Sequence, residues 1–153
     1  MKQGYSWLNT KEVKRIRNIF LDNYNYEFDF SSYALCINEK NKIYMINRDV
    51  DRIDLDKVRI NTIGLYLGEL KDNEIRISIE FSQMIGPNAK SSIIELNDEN
   101  AAKWLRGYDL DLERSHKGFV LIKNKNNFLG CSKHKNNQLM NFVPKERRIK
   151  SID

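Results

Sequence analysis

Short β-branched and aromatic runs, broken by polar turns of three residues, confine the first half of this chain to antiparallel hairpins. SYALCIN (32–38) and KIYMIN (42–47) flank Glu39, Lys40 and Asn41, and NTIGLYLGEL (61–70) and EIRISI (74–79) flank Lys71, Asp72 and Asn73. Strands joined so tightly pair with each other, because a parallel partner needs a crossover of a dozen residues or more. Gly64 and Gly68 interrupt one of these strands, and a strand glycine marks a bulge or a close backbone approach.

Helical signals lie between the strands. Asn9 with Glu12 forms a capping-box pattern ahead of Val13, Ile16, Ile19 and Phe20, which predicts an amphipathic helix over 10–23. Its outward residues Lys11, Lys14, Arg15 and Arg17 are expected to form a solvated face. The alternating Tyr24, Tyr26, Phe28 and Phe30 suggest a core strand, with a protein interface as the other reading. A short helix or turn is expected over Arg48–Asp56, and a short helix over 79–86 ended by Gly86 and Pro87. A strand over 91–96 leads to Asn97, which caps a helix over 98–106 that Gly107 ends. Strands are expected over 118–125 and 126–135 around an Asn-rich turn, with a last one over 138–143 before Pro144. The fold class is therefore α+β, with a boundary at the Gly-Pro-Asn turn that separates residues 1–88 from 89–153. Units this small are expected to pack on one another for stability.

The chain has 153 residues, 41% hydrophobic and 31% charged, which excludes a disordered polyelectrolyte and a large enzyme with a separate cofactor domain. Its net charge of +5 is unevenly placed. Residues 114–150 hold ten basic side chains against Glu146 alone, a net +9, whereas the first 113 residues are net −3. Such a block implies a surface that faces a polyanion. No apolar run reaches the 18 residues that span a bilayer and no leader pattern opens the chain, so a cytoplasmic protein without a membrane partner is expected. Cys36 and Cys131 stand alone in apolar surroundings and are expected to be reduced, buried thiols.

Motifs for catalysis are missing. The chain has no phosphate-binding glycine loop and no nucleophile elbow. His116 and His134 lie in the basic block, where positive neighbours favour their neutral forms. Cys131 and His134 have the spacing of half a zinc site, but residues three apart on a strand point to opposite faces. Asp109 and Asp111 share strand spacing without a partner base and are expected to be turn or edge residues. No catalytic residue, metal or cofactor is expected.

Residues 101–110 (A-A-K-W-L-R-G-Y-D-L), 117–122 (K-G-F-V-L-I), 128–133 (F-L-G-C-S-K) and 139–149 (L-M-N-F-V-P-K-E-R-R-I) together resemble the PUA domain. The nearest subtype is the C-terminal RNA-binding domain of RsmF-like NOL/NOP/Sun RNA 5-methylcytosine methyltransferases, also found in small archaeal and eukaryotic ribosome-biogenesis factors. The resemblance implies an N-terminal α+β subdomain packed on a C-terminal PUA-like pseudo-barrel. Arg106 and Gly107 match the family's helix end, Lys133 its glycine strand, and Lys145 and Arg148 its closing P-K-x-x-R. Lys135, Arg147 and Lys150 extend the patch by composition. Two departures are Cys131-Ser132, with an expected effect on strand twist, and Met140-Asn141, which removes one phosphate contact. Phe128 and Phe142 are expected in the core, while Tyr108 can stack on a base.

The expected function is non-catalytic binding of structured rRNA or tRNA, in ribosome biogenesis or RNA modification. The competing reading is an adaptor or RNA-binding subunit for a separate RNA methyltransferase or ribosome assembly factor. A methyltransferase in its own right is disfavoured, because neither cysteine has the family's catalytic context.

Overall fold

The computed structural model describes residues 4–49 and 64–150. Two five-stranded sheets meet along a seam filled by helices. The first sheet is an antiparallel meander in sequence order: β1 (Tyr5–Trp7), β2 (Tyr33–Asn38), β3 (Lys42–Asn47), β4 (Leu65–Lys71) and β5 (Glu74–Ile77). Both hairpins expected in the first half form, with Cys36 opposite Tyr44 and Leu70 opposite Ile75. The short β1 carries too few residues to register as a strand in the sequence. The expected helix or turn over Arg48–Asp56 lies, from residue 50 on, outside the described residues, as does the start of the 61–70 run.

Gly68 has a structural reason. Register shifts where Ile43 opposes Gly68 and Tyr44 opposes Tyr66, so Leu67 is the extra residue of a bulge. A Cβ on Gly68 would lie 2.5 Å from the Arg76 carbonyl oxygen, on backbone that cannot swing away.

Helix α1 (Thr10–Tyr24) begins in the expected capping box: the Glu12 amide donates to Asn9 Oδ1 at 2.9 Å, and the Asn9 amide donates to Glu12 Oε2 at 2.7 Å. It buries Ile16, Phe20 and Tyr24. Residues 25–30 are not a strand, yet Phe28 and Phe30 are buried. They pack with Phe20 and with Phe81 of α2 (Ile79–Ile85), at centroid separations of 4.7 Å for Phe28–Phe30 and 5.3 Å for Phe20–Phe81. Aromatic alternation thus reports core residues on an extended loop. Ser78 caps α2 by accepting from the Phe81 amide at 3.0 Å, and a 3-10 turn at Gly86–Asn88 follows.

The second sheet runs β6 (Ile93–Glu95), β8 (Phe119–Asn124), β9 (Asn127–Lys135), β10 (Gln138–Leu139) and β7 (Leu110–Asp111). β6 and β8 pair in parallel around α3 (Asp98–Leu105), and β8 and β9 form the expected hairpin. The expected last strand shortens to Gln138–Leu139, which pairs with both β9 and the unforeseen β7. This curled sheet is the PUA-like pseudo-barrel, and the chain is α+β as expected.

The main core crosses the seam. Phe20, Ile75, Phe81 and Ile85 pack with Phe119, Leu121, Phe128 and Cys131. A second core lies between the curled sheet and α3, where Trp104, Val120, Ile122 and Leu139 are almost wholly inaccessible and Ile79 of α2 packs against them. Polar contacts clasp the seam as well. The Lys90 and Ser91 amides donate to the Tyr24 carbonyl at the end of α1, at 2.8 and 3.3 Å. Ser91 and Ser92 hydroxyls donate to the Asn23 carbonyl at 2.9 and 2.8 Å, and Asn23 Nδ2 donates to the Phe119 carbonyl at 2.9 Å. These contacts satisfy carbonyls that a helix end leaves unpaired.

Candidate nucleic-acid interface

Helix α3 positions the first of the resemblance residues. Asn97 caps it by accepting from the Asn100 amide at 2.8 Å, and Arg106 ends it with an exposed side chain. Gly107 follows at φ +94°, a left-handed conformation that favours glycine. The space a Cβ would take is filled by the Arg148 side chain. Arg148 Nε donates to the Val143 carbonyl at 3.0 Å, and the Ile149 amide donates to the Leu105 carbonyl at 2.9 Å. The pair that the sequence assigned to RNA thus also locks the closing segment onto the helix.

Asn141, which follows the departing Met140, completes this lock. Its Nδ2 donates to the Trp104 carbonyl at 2.7 Å and the Tyr108 carbonyl at 3.0 Å, and its amide donates to Asp109 Oδ1 at 2.7 Å. Its Oδ1 accepts from the Val143 amide at 2.9 Å. Asp111 Oδ1 accepts from Gln138 Nε2 at 3.0 Å, so both acids of the Asp109–Asp111 pair hold the edge of the sheet.

The remaining basic residues divide by what neutralises them. Arg147, in the 3-10 turn Lys145–Arg147, pairs with Glu80 of α2. Lys133, on β9, pairs with Glu74 of β5 at 2.8 Å and lies 5.1 Å from the centre of the Phe119 ring. Arg106, Lys135, Lys145 and Lys150 are exposed and form no ion pair among the described residues. Tyr108 is 61% exposed, as a stacking residue requires, whereas Phe128 is buried and Phe142 half-buried.

Two clefts open on the seam. One, of about 630 Å³, lies between β3–β5 and the closing segment. Tyr44 and Tyr66 face each other in it at 5.4 Å, with Lys42 Nζ 5.7 Å from the Tyr66 ring centre and the Arg76 guanidinium 4.8 Å from that of Phe142. Burial pushes the Tyr66 phenol up to about 12. Two of the cations here meet acids: Arg76 pairs with Glu69 at 2.9 Å, and Arg147 with Glu80. The second cleft, about 1020 Å³, lies between α1, the β4–β5 turn and the approach to β8. Lys11, Lys14, Arg15 and Lys117 line it. Sequence reasoning left these residues outside the site, although Lys11, Lys14 and Arg15 fall on one helix face at spacings of three and four. Tyr24, also in its lining, is fully buried, and its hydroxyl has no hydrogen-bond partner among the described residues.

Other titratable groups are engaged structurally. Cys131 is buried, its thiol donates to the Ile77 carbonyl at 3.3 Å, and burial pushes it up to about 12. Cys36 is likewise a buried free thiol, pushed up to about 11. His134 Nε2 meets the Leu112 carbonyl at 2.6 Å, away from the Cys131 sulfur bound toward the core. His116 is held below its ordinary value by desolvation first and then by Arg114 and His134. Among the described residues, no three His, Cys, Asp or Glu side chains gather as a metal ion would require.

The curled sheet, its glycine-ended helix and its basic closing segment define a PUA-like architecture. Residues 91–149 match the family model for the methyltransferase RsmF PUA domain, and this segment is a PUA-like domain resembling that of RsmF. The Shewanella oneidensis ribosomal RNA small subunit methyltransferase F is 27% identical over 138 residues, covering 89% of this chain and 28% of that protein. The Aliivibrio fischeri protein of the same name is 25% identical over 122 residues (76% and 26%), and that of Vibrio vulnificus 24% over 92 residues (60% and 20%). The chain therefore spans less than a third of the length of these relatives, and the Shewanella likeness reaches into its first half.

Proposed function

We propose that this chain is a non-catalytic RNA-binding protein that recognises structured rRNA or tRNA in the service of rRNA modification or ribosome biogenesis. The observation that carries the reading is the coincidence of the PUA-like segment with the +9 block over 114–150. Phosphate neutralisation by such a block supplies most of the sequence-independent affinity for nucleic acid. Arg106, Lys135, Lys145 and Lys150 are the principal phosphate contacts, because their charges are not spent on acids. Gly107 with Arg148 shapes the surface, and Lys133 and Arg147 contribute once RNA competes with Glu74 and Glu80. Residues 1–88 serve as a supporting unit and 89–153 as the RNA-reading unit. The likeness of residues 91–149 to the PUA domain of a methyltransferase favours one further reading, an RNA-binding subunit or adaptor for a separate methyltransferase.

Replacing Lys135, Lys145 and Lys150 together by Ala tests the reading without disturbing an ion pair of the fold. Binding of a small-subunit rRNA fragment is expected to weaken, and the slope of log K against log salt to fall by roughly 0.7–0.9 for each phosphate no longer neutralised. An unchanged affinity and slope would sink the assignment.

A further inference from the structure

The expected solvated face of α1 is half of a groove. Lys11, Lys14 and Arg15 form one wall, and Lys117, which enters from the second half of the chain, stands with them in the same lining. The facing acids are Asp22 of α1 and Glu74 of β5, and Glu74 is already neutralised by Lys133 at 2.8 Å. Arg15 is not a loose surface charge. Its Nη2 donates to the Asp72 carbonyl and to Asn73 Oδ1, both at 2.9 Å, which fixes the guanidinium at the mouth of the groove. Lys11, Lys14 and Lys117 are exposed and form no ion pair among the described residues. The result is an electropositive channel walled by three elements, and its acid Glu74 is the residue that holds Lys133 of the proposed RNA surface.

We infer that this groove binds the phosphodiester backbone of RNA, and that the RNA path therefore runs from the PUA-like segment across the seam onto α1. The inference rests on the RNA-binding reading above and adds to it a second phosphate-binding surface in the first half of the chain. RNA is the occupant because the groove adjoins that surface through the Glu74–Lys133 pair and shares its charge sign. Separate cations on two of the walls, α1 and the approach to β8, suit an extended chain of phosphates rather than a single anion. Two like-charged walls facing each other repel when empty, so a polyanion laid between them relieves that repulsion as well as making its own contacts.

The test uses a fluorescein-labelled stem–loop RNA and the full chain, titrated over a range of salt. The variant Lys11→Ala/Lys14→Ala/Lys117→Ala removes three solvent-exposed charges and breaks no ion pair of the described residues. It is expected to bind at least about tenfold more weakly near 0.1 M salt and to reduce the salt slope by roughly 2. A control of equal charge on the first sheet, Lys40→Ala/Arg48→Ala/Lys71→Ala, lies outside both the groove lining and the 114–150 block and is expected to leave the slope near that of the unaltered chain. If groove and control variants lose affinity equally, the effect is one of net charge and the inference is overturned. If the Lys135/Lys145/Lys150 variant weakens binding but the groove variant does not, the groove inference fails while the RNA-binding reading stands. If neither weakens it, both fail.

Discussion

The two sheets have the same number of strands and opposite characters. The first is a meander whose neighbours in space are neighbours in sequence, and its charged pairs are largely internal, as in Glu69 with Arg76 and Lys71. The second is assembled from distant pieces, with β6 parallel to β8 and β7 added at the far edge, and it carries the basic block. Its structure depends on the first sheet, because Phe119, Leu121, Phe128 and Cys131 pack against residues of the first half. The difference teaches that an electrically neutral, locally ordered half can act as the template on which a basic half is held.

The sharpest way to break this comparison is to truncate a side chain at the seam. Phe81→Ala is expected to cost about 3–5 kcal/mol. Unfolding followed by Trp7 in the first sheet and by Trp104 of α3, which packs in the second core, through single-tryptophan variants, should remain one coincident transition; two separate midpoints would show that the halves stand independently. Two glycines give the next contrast. Gly68→Ala drives a Cβ into the Arg76 backbone and is expected to cost about 2–3 kcal/mol in a denaturant titration. Gly107→Ala strains a positive φ but meets a side chain that can move, so a smaller loss of about 1–2 kcal/mol is expected, together with release of Arg148.

Alkaline titration compares the sheets through their buried acids. Folding raises Cys131 from 9.0 to about 12 and Tyr66 from 10.0 to about 12. Each group favours the fold fully below its unfolded pKa, and that contribution is lost as pH rises toward the folded value. The thermal midpoint should therefore fall between pH 9 and about 12, and Cys131→Ala should flatten the fall more than Tyr66→Phe. Equal flattening would refute the ordering. The smallest effect belongs to Arg147→Ala: the Glu80 pair is exposed, so stability should change by less than about 1 kcal/mol. RNA affinity should fall less than for Lys135→Ala, and the reverse order would show that the Glu80 pair opens at little cost.

Legibility followed locality. The Asn9–Glu12 capping box, the three hairpins and the Asn97 cap rest on contacts between near neighbours, and all were readable. The β6–β8 pairing spans α3, and the two residues of β7 carry no periodic signal, so neither was. The aromatic alternation over Tyr24–Phe30 identified burial correctly and backbone conformation incorrectly, because alternation marks which side chains turn inward, not what their amides bond to. At the candidate site the basic block was plain, but the acids that neutralise part of it were not. Glu74 lies 59 positions from Lys133, and Glu80 lies 67 from Arg147. Net charge along a sequence therefore overstated the charge available at the surface. The Arg148 lock was invisible for the same reason, since it requires Gly107 to meet a residue from the chain's far end.

The clasp at the end of α1 has a consequence for recognition. Because the amides and hydroxyls of Lys90–Ser92 fix the carbonyls of Asn23 and Tyr24, the pitch of α1 relative to Lys117 is set before any ligand arrives. A polyanion laid in the proposed groove would meet a spacing already set, and so would lose little ordering free energy on contact.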